Sequence, residues 1–146
     1  MPDAATRKRA VADKRQGKSA STQAGEYVKE EMDHIREGKH GARSAKQAIA
    51  IGLSKARRAG VALKAPKSAS VTTRRKAAED TAAAKRPHKV SAKRSRATTS
   101  ALKREGRGAA SKTALSRQAT GAAKKRTAKS RSTAAKKAAR TRAAEG

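Results

Sequence analysis

Cysteine is absent from this 146-residue chain, so disulfides, thiolate metal sites and a cysteine nucleophile are all excluded. Phenylalanine and tryptophan are absent too, and Tyr27 is the only aromatic residue. Single-strand readers stack bases on aromatic side chains, so modules of that kind are not supported. Leu, Ile, Val and Phe together supply only 12 residues, too few for one large core. No apolar run is long enough for a signal sequence or a membrane span, and a soluble, cytoplasmic protein is the expectation. Proline occurs only as Pro2, Pro66 and Pro87.

Positive charge is abundant: 39 Lys and Arg against 11 Asp and Glu give a formal net charge of +28. Its distribution is uneven. Residues 1–20 hold six basic and two acidic residues, 21–65 hold nine and five, and 66–146 hold 24 and four. Seven of the twelve aliphatic residues, with Tyr27 and Met32, fall within 21–65. The chain therefore divides into a basic N-terminal arm (1–20), a segment able to pack (21–65) and a low-complexity basic tail (66–146).

Within the middle segment, Ala24, Tyr27, Val28, Met32 and Ile35 keep a helical period after the N-cap oxygens of 19–22. A first helix is predicted at about 22–37. It is acidic, through Glu26, Glu30, Glu31, Asp33 and Glu37. Ser44 with Gln47 forms a capping-box pattern, and Ala45, Ala48, Ile49, Gly52, Leu53 and Ala56 then lie on one helical stripe. Lys55, Arg57, Arg58 and Gly60 supply the stop, so a second, basic helix is predicted at about 44–59. Gly52 inside the stripe marks a point where another helix comes close. The contacts predicted between helices are Tyr27, Val28, Met32, Ile35, Ile49, Gly52, Leu53 and Ala56. Burial of both faces of the second helix, including Ile51 on the far side, calls for self-association or for docking of a tail helix.

The fold class is thus all-α: a small helical hairpin followed by a long, largely disordered or transiently helical Lys/Ala-rich tail. The N-terminal arm can form a short helix, since alanine and basic residues are good helix formers, but a solvated arm that frays is the preferred expectation. A helix over about 71–84 is allowed before Lys85-Arg86-Pro87. A weak repeat sets Ala101-Leu102-Lys103-Arg104 and Gly108-Ala109-Ala110 thirteen residues ahead of Ala114-Leu115-Ser116-Arg117 and Gly121-Ala122-Ala123. It reads as low-complexity expansion.

Function follows from the tail. Each of its cations can neutralise a phosphate and release a counterion. The residues expected to bind nucleic acid are Arg74, Arg75, Lys76, Lys85, Arg86, Lys93, Arg94, Arg96, Lys103, Arg104, Arg107, Lys112, Arg117, Lys124, Lys125, Arg126, Lys129, Arg131, Lys136, Lys137, Arg140 and Arg142. DNA is favoured over RNA as the partner, with binding independent of sequence. The alternatives are an RNA- or ribosome-associated protein, or a protein-interaction module using the 44–60 helix. A helix-turn-helix reader with Arg43, Lys46 and Gln47 facing bases is disfavoured, because the basic cluster lies at the other end of that helix.

No catalytic residue and no cofactor are indicated: the carboxylates cluster on one helix, and no glycine-rich phosphate loop follows a strand. His34, His40 and His88, with Asp33, are spaced six and forty-eight residues apart. That spacing predicts surface or turn histidines and no metal site.

Glu37-Gly38-Lys39-His40-Gly41, followed by Lys46-Gln47-Ala48-Ile49-Ala50-Ile51-Gly52-Leu53-Ser54-Lys55-Ala56-Arg57-Arg58-Ala59-Gly60, resembles the motif of an uncharacterised family of small basic bacterial proteins. Some of those relatives carry a plasmid-stabilisation label. The resemblance spans about residues 20–65, implies a bacterial cytoplasmic protein and brings no catalytic residues with it. In composition, the tail is similar to the Lys/Ala-rich tails of linker histones and bacterial histone H1-like proteins, which implies nucleoid association. It lacks the Ser-Pro-Lys-Lys repeats of some such tails.

Overall fold

The computed structural model describes residues 2–86 and 91–145. Among them it contains seven α-helices, one short 3-10 turn and no strand: α1 (Ala4–Arg15), α2 (Ala20–Arg36), α3 (Ala45–Arg58), α4 (Val71–Lys85), α5 (Ala92–Lys103), the turn Gly108–Ala110, α6 (Lys112–Lys124) and α7 (Ala128–Glu145). The all-α class holds. Two compact units divide the chain, one ending at Ser111 and one beginning at Lys112.

In the first unit, α2 and α3 form a hairpin against which α1, α4 and the 108–110 turn pack. Local chemistry sets its ends. Ser19 Oγ accepts from the Thr22 N–H and Ser44 Oγ from the Gln47 N–H. Gln47 Oε1 in turn takes the Arg43 N–H at 2.8 Å, so the cap reaches one residue further back than a standard capping box. At the other end of α3, Gly60 has φ +93°, its N–H bonds to Arg57 O, and the Val61 N–H bonds to Ala56 O. This is a Schellman stop, closed by apolar contact between Ala56 and Val61.

The buried face of α3 is Ala45, Ala48, Gly52 and Ala56, with Ile49 and Leu53 half-buried. Tyr27, Met32 and Ile35 of α2 are buried and Val28 is half-buried. A β-carbon added to Gly52 would stand 2.7 Å from Val28 Cα. The two backbones thus approach where the stripe has no side chain.

Two expectations are corrected. The N-terminal arm is not a frayed segment: α1 packs on α2, burying Thr6 and Ala10, and Arg9 Nε pairs with Glu26 at 2.5 Å. Nor is the tail disordered, since its described residues are mostly helical. A count of aliphatics undervalues alanine, which has the highest helix propensity, with Lys and Arg close behind. Ser70, Ser91 and Thr127 each accept a backbone N–H at the start of α4, α5 and α7.

Helix α4 packs against α3. Asp80, 2% exposed, accepts from Arg58 Nε at 2.8 Å and from Ser54 Oγ at 2.7 Å. The segment after α5 crosses the α2–α3 connection: the Gly41 N–H bonds to Leu102 O and the Ala42 N–H to Gly106 O. Arg36 Nε donates to Ala110 O, and Ala109 and Ala110 are buried. The second unit comprises α6 and α7, joined at 125–127 with Thr127 as the cap.

Candidate functional site

Two groupings of side chains have chemistry beyond packing. The first is the cation array. All 22 Lys and Arg residues expected to meet phosphate are exposed. Arg74, Arg75, Lys76 and Lys85 lie on α4 with Arg86 just after it, and Lys93, Arg94, Arg96 and Lys103 lie on α5, followed by Arg104 and Arg107. In the second unit Lys112, Arg117 and Lys124 lie on α6, Lys125 and Arg126 in the connection, and Lys129, Arg131, Lys136, Lys137, Arg140 and Arg142 on α7.

Carboxylates reach few of them. Glu79 pairs with Arg75 at 3.4 Å and Lys76 at 3.5 Å. Among the described residues no Lys or Arg of α5, α6 or α7 forms an ion pair. Several cations in and between the first three helices do form ion pairs. Arg9, Arg36, Lys39 and Lys55 pair with carboxylates of α2 or its C-terminal end, and Arg58 pairs with Asp80. The Glu37 carboxylate bonded to Lys39 raises that ammonium above its ordinary range. At the N-terminal end of α3, Arg43 and Lys46 are exposed, but Gln47 is committed to the cap.

The second grouping is buried. Glu30 and Glu31 are adjacent on α2, so they cannot share one direction, yet both are enclosed because α1 covers one side and α3 the other. Glu30 accepts the Asp3 N–H, at 3.3 Å to each oxygen, where the positive end of α1 favours a carboxylate. Glu31 Oε2 takes Lys55 Nζ at 2.5 Å. Its Oε1 is buried and accepts no hydrogen bond, with His40 Nε2 standing 3.3 Å away.

His34, one turn beyond Glu30 and Glu31, brings Nε2 to 3.4 Å from Asp3 Oδ2 and 4.0 Å from Glu30 Oε1. The His34 and His40 rings meet edge to face, with centroids 6.1 Å apart. One potential ligand atom from each of Glu31, His34 and His40 lies within 4.8 Å of the others, and the same holds for Asp3, Glu30 and His34.

Sequence spacing missed this cluster. A six-residue separation of histidines looks unfavourable along a helix, but His40 follows the Gly38 turn, which folds it back over α2. The legible signal was the Glu31-x-x-His34 spacing, which puts both on one helical face. Asp33, grouped with the histidines from sequence, pairs with Arg36 instead. His88 lies outside the described residues.

Comparison with family models, with curated proteins and with solved structures finds no match to this chain. No helix, among the described residues, is long and apolar enough to cross a membrane.

Proposed function

We propose that this protein binds nucleic acid, DNA in preference to RNA, without reading sequence. The observation that carries the reading is the separation of charge. Nine of the eleven acidic residues lie at or before Asp80, in or beside α1, α2 and α4, whereas α5 to α7 present exposed cations that no described carboxylate neutralises. Side chains of this kind on a helix form a row that can follow a phosphate backbone. Each contact releases condensed counterions, and that release supplies the affinity.

The array has no aromatic residue to stack on a base, so every contact it can make is to phosphate or sugar. Binding is then indifferent to sequence and strongly dependent on salt. Coating of this type lowers the cost of laying duplexes side by side, which is the role of a nucleoid-associated protein.

A salt-titrated gel shift on unrelated 150-bp duplexes tests the reading. If about fifteen cations contact phosphate, a slope near −0.9 per contact removes about eight decades of affinity over a fourfold rise in salt. Replacing the six cations of α7 by Gln is expected to flatten the slope by about 5 without changing the indifference to sequence. A wild-type slope near −2, or a marked preference for one duplex, would overturn it. Single-stranded RNA bound more tightly than duplex DNA at the same salt would transfer the reading to RNA.

A further inference from the structure

We propose that Glu31, His34 and His40 form a binding site for one divalent transition-metal ion of the zinc type. The argument starts from Glu31 Oε1, an acceptor on a side chain with 0% exposure that receives no hydrogen bond. An unsatisfied buried carboxylate oxygen is costly, because desolvation is paid with nothing gained in return.

His40 Nε2 stands 3.3 Å from it. His40 Nδ1 lies 3.1 Å from Gly41 O, a carbonyl that can only accept, so Nδ1 carries the hydrogen. With the hydrogen on Nδ1, Nε2 holds the free lone pair of the ring, and it stands 3.3 Å from Oε1 with no hydrogen bond joining them. Two acceptor atoms this close are disfavoured unless something positive lies beside both. A histidine whose other nitrogen donates to a backbone carbonyl is the usual arrangement of a metal ligand, since that bond fixes both tautomer and ring orientation.

The distance fits as well. Tetrahedral ligands at 2.0–2.1 Å from zinc lie about 3.3 Å from one another, which is the Oε1 to Nε2 separation already present. His34 completes a two-histidine, one-carboxylate set from the same face of α2, its ligating atom within 4.8 Å of the others. Asp3 Oδ2 lies 3.4 Å from His34 Nε2 and contacts that ring from the start of α1.

Charge agrees with this assignment. Asp3, Glu30 and Glu31 bring three negative charges, and Lys55, bonded to Glu31 Oε2 and 4.0 Å from Glu30 Oε1, brings one positive charge. Lys39 is already paired with Glu37. A divalent ion brings the cluster to neutrality. Two imidazoles with one carboxylate select zinc, cobalt or nickel over magnesium and calcium, which prefer sets made wholly of oxygen. Bound there, the ion would fasten the 37–44 turn to α2 and the start of α1.

The test uses the untagged full chain, freed of nucleic acid by nuclease and high salt, titrated with zinc chloride by calorimetry and with cobalt(II) by visible absorption. The expected result is saturation at one ion per chain and the d–d spectrum of a tetrahedral cobalt site. His40→Ala and His34→Ala are each expected to weaken zinc at least about 100-fold, exceeding the usual 10- to 100-fold effect of an outer-shell partner. His88→Ala is expected to leave binding unchanged. Circular dichroism of each apo variant checks that helix content is retained. If either alanine variant unfolds, Glu31→Gln, which keeps the side chain's size and an oxygen for Lys55, decides with the same loss expected. Absence of saturable uptake by the wild type would overturn the site. Uptake indifferent to His34 and His40, or abolished through His88 alone, would also overturn it.

Discussion

Gly41 and Glu105 lie in backbone contact: a β-carbon placed on Gly41 would stand 1.9 Å from the Glu105 carbonyl oxygen and 2.4 Å from its carbon. No rotamer change relieves a clash with main chain. Gly41→Ala must therefore displace the 102–106 segment and break the bonds from the 41 and 42 N–H groups to Leu102 O and Gly106 O. Two hydrogen bonds at about 1 kcal/mol each set an expected loss near 2 kcal/mol. Chemical denaturation checks the magnitude, and hydrogen exchange at 41, 42 and 109–111 checks the place. Unchanged exchange there would show that the segment does not dock on the turn.

Gly52 and Gly25 make a matched pair, both inside helices but in opposite surroundings. At Gly25 an added β-carbon meets nothing within 4 Å, whereas at Gly52 it meets Val28 Cα at 2.7 Å. Gly25→Ala is expected to stabilise by up to about 1 kcal/mol through helix propensity. Gly52→Ala gains the same propensity but forces α2 and α3 apart, and overpacking of that kind costs about 1–3 kcal/mol. Opposite signs for the two shifts in thermal melts are the expected outcome. Equal stabilisation by both would mean that the helices do not approach at Val28.

Burial raises the phenol of Tyr27 above its ordinary value of 10.0, outweighing the nearby Arg7, which lowers it, while Glu30 adds to the rise. The protonated phenol is the form that the fold favours. Its contribution is fully present below pH 10 and is lost as pH rises through the folded-state value. Stability should therefore fall on an alkaline limb beginning near pH 10, and Tyr27→Phe should remove that limb while leaving the neutral-pH profile parallel. Lysine deprotonation occurs in both proteins, so the difference between them isolates the tyrosine. A limb that persists in Tyr27→Phe would assign it to the lysines.

The hairpin was legible because its signals are local. Ser44, Gly60 and the stripe from Ala45 to Ala56 specify start, stop and buried face within one stretch, and the helices fall within two residues of the expected ends. Docking of a tail helix was an expectation that α4 meets, but which residues cover the hairpin was not legible, because many of the buried contacts come from alanine and from backbone. Ala10, Ala77, Ala109 and Ala110 are buried, yet similar alanines on α7 are exposed. Composition does not separate the two groups, since one methyl group serves both roles. The Glu31–His34–His40 cluster was hidden for another reason: its third member is brought in by the Gly38 turn and by no spacing along a helix.

The repeat shows the same ambiguity in a form that can be measured. Ala110 and Ala123 occupy equivalent positions, thirteen residues apart, in Gly-Ala-Ala units of identical sequence. The first copy forms a 3-10 turn whose Ala110 is 1% exposed and whose carbonyl accepts from Arg36, whereas the second lies in α6 with Ala123 exposed. Ala110→Lys must therefore undock the turn or bury an ammonium, and undocking is the cheaper course. Its ceiling is the docking energy of the 102–110 segment, near the 2 kcal/mol expected for Gly41→Ala, and the two substitutions together should cost little more than either alone. Ala123→Lys should stay within about 0.5 kcal/mol of wild type. Denaturant melts of the three single variants and the double variant read this directly. Equal effects at 110 and 123 would mean that both copies are equally exposed and that the first does not pack on the hairpin.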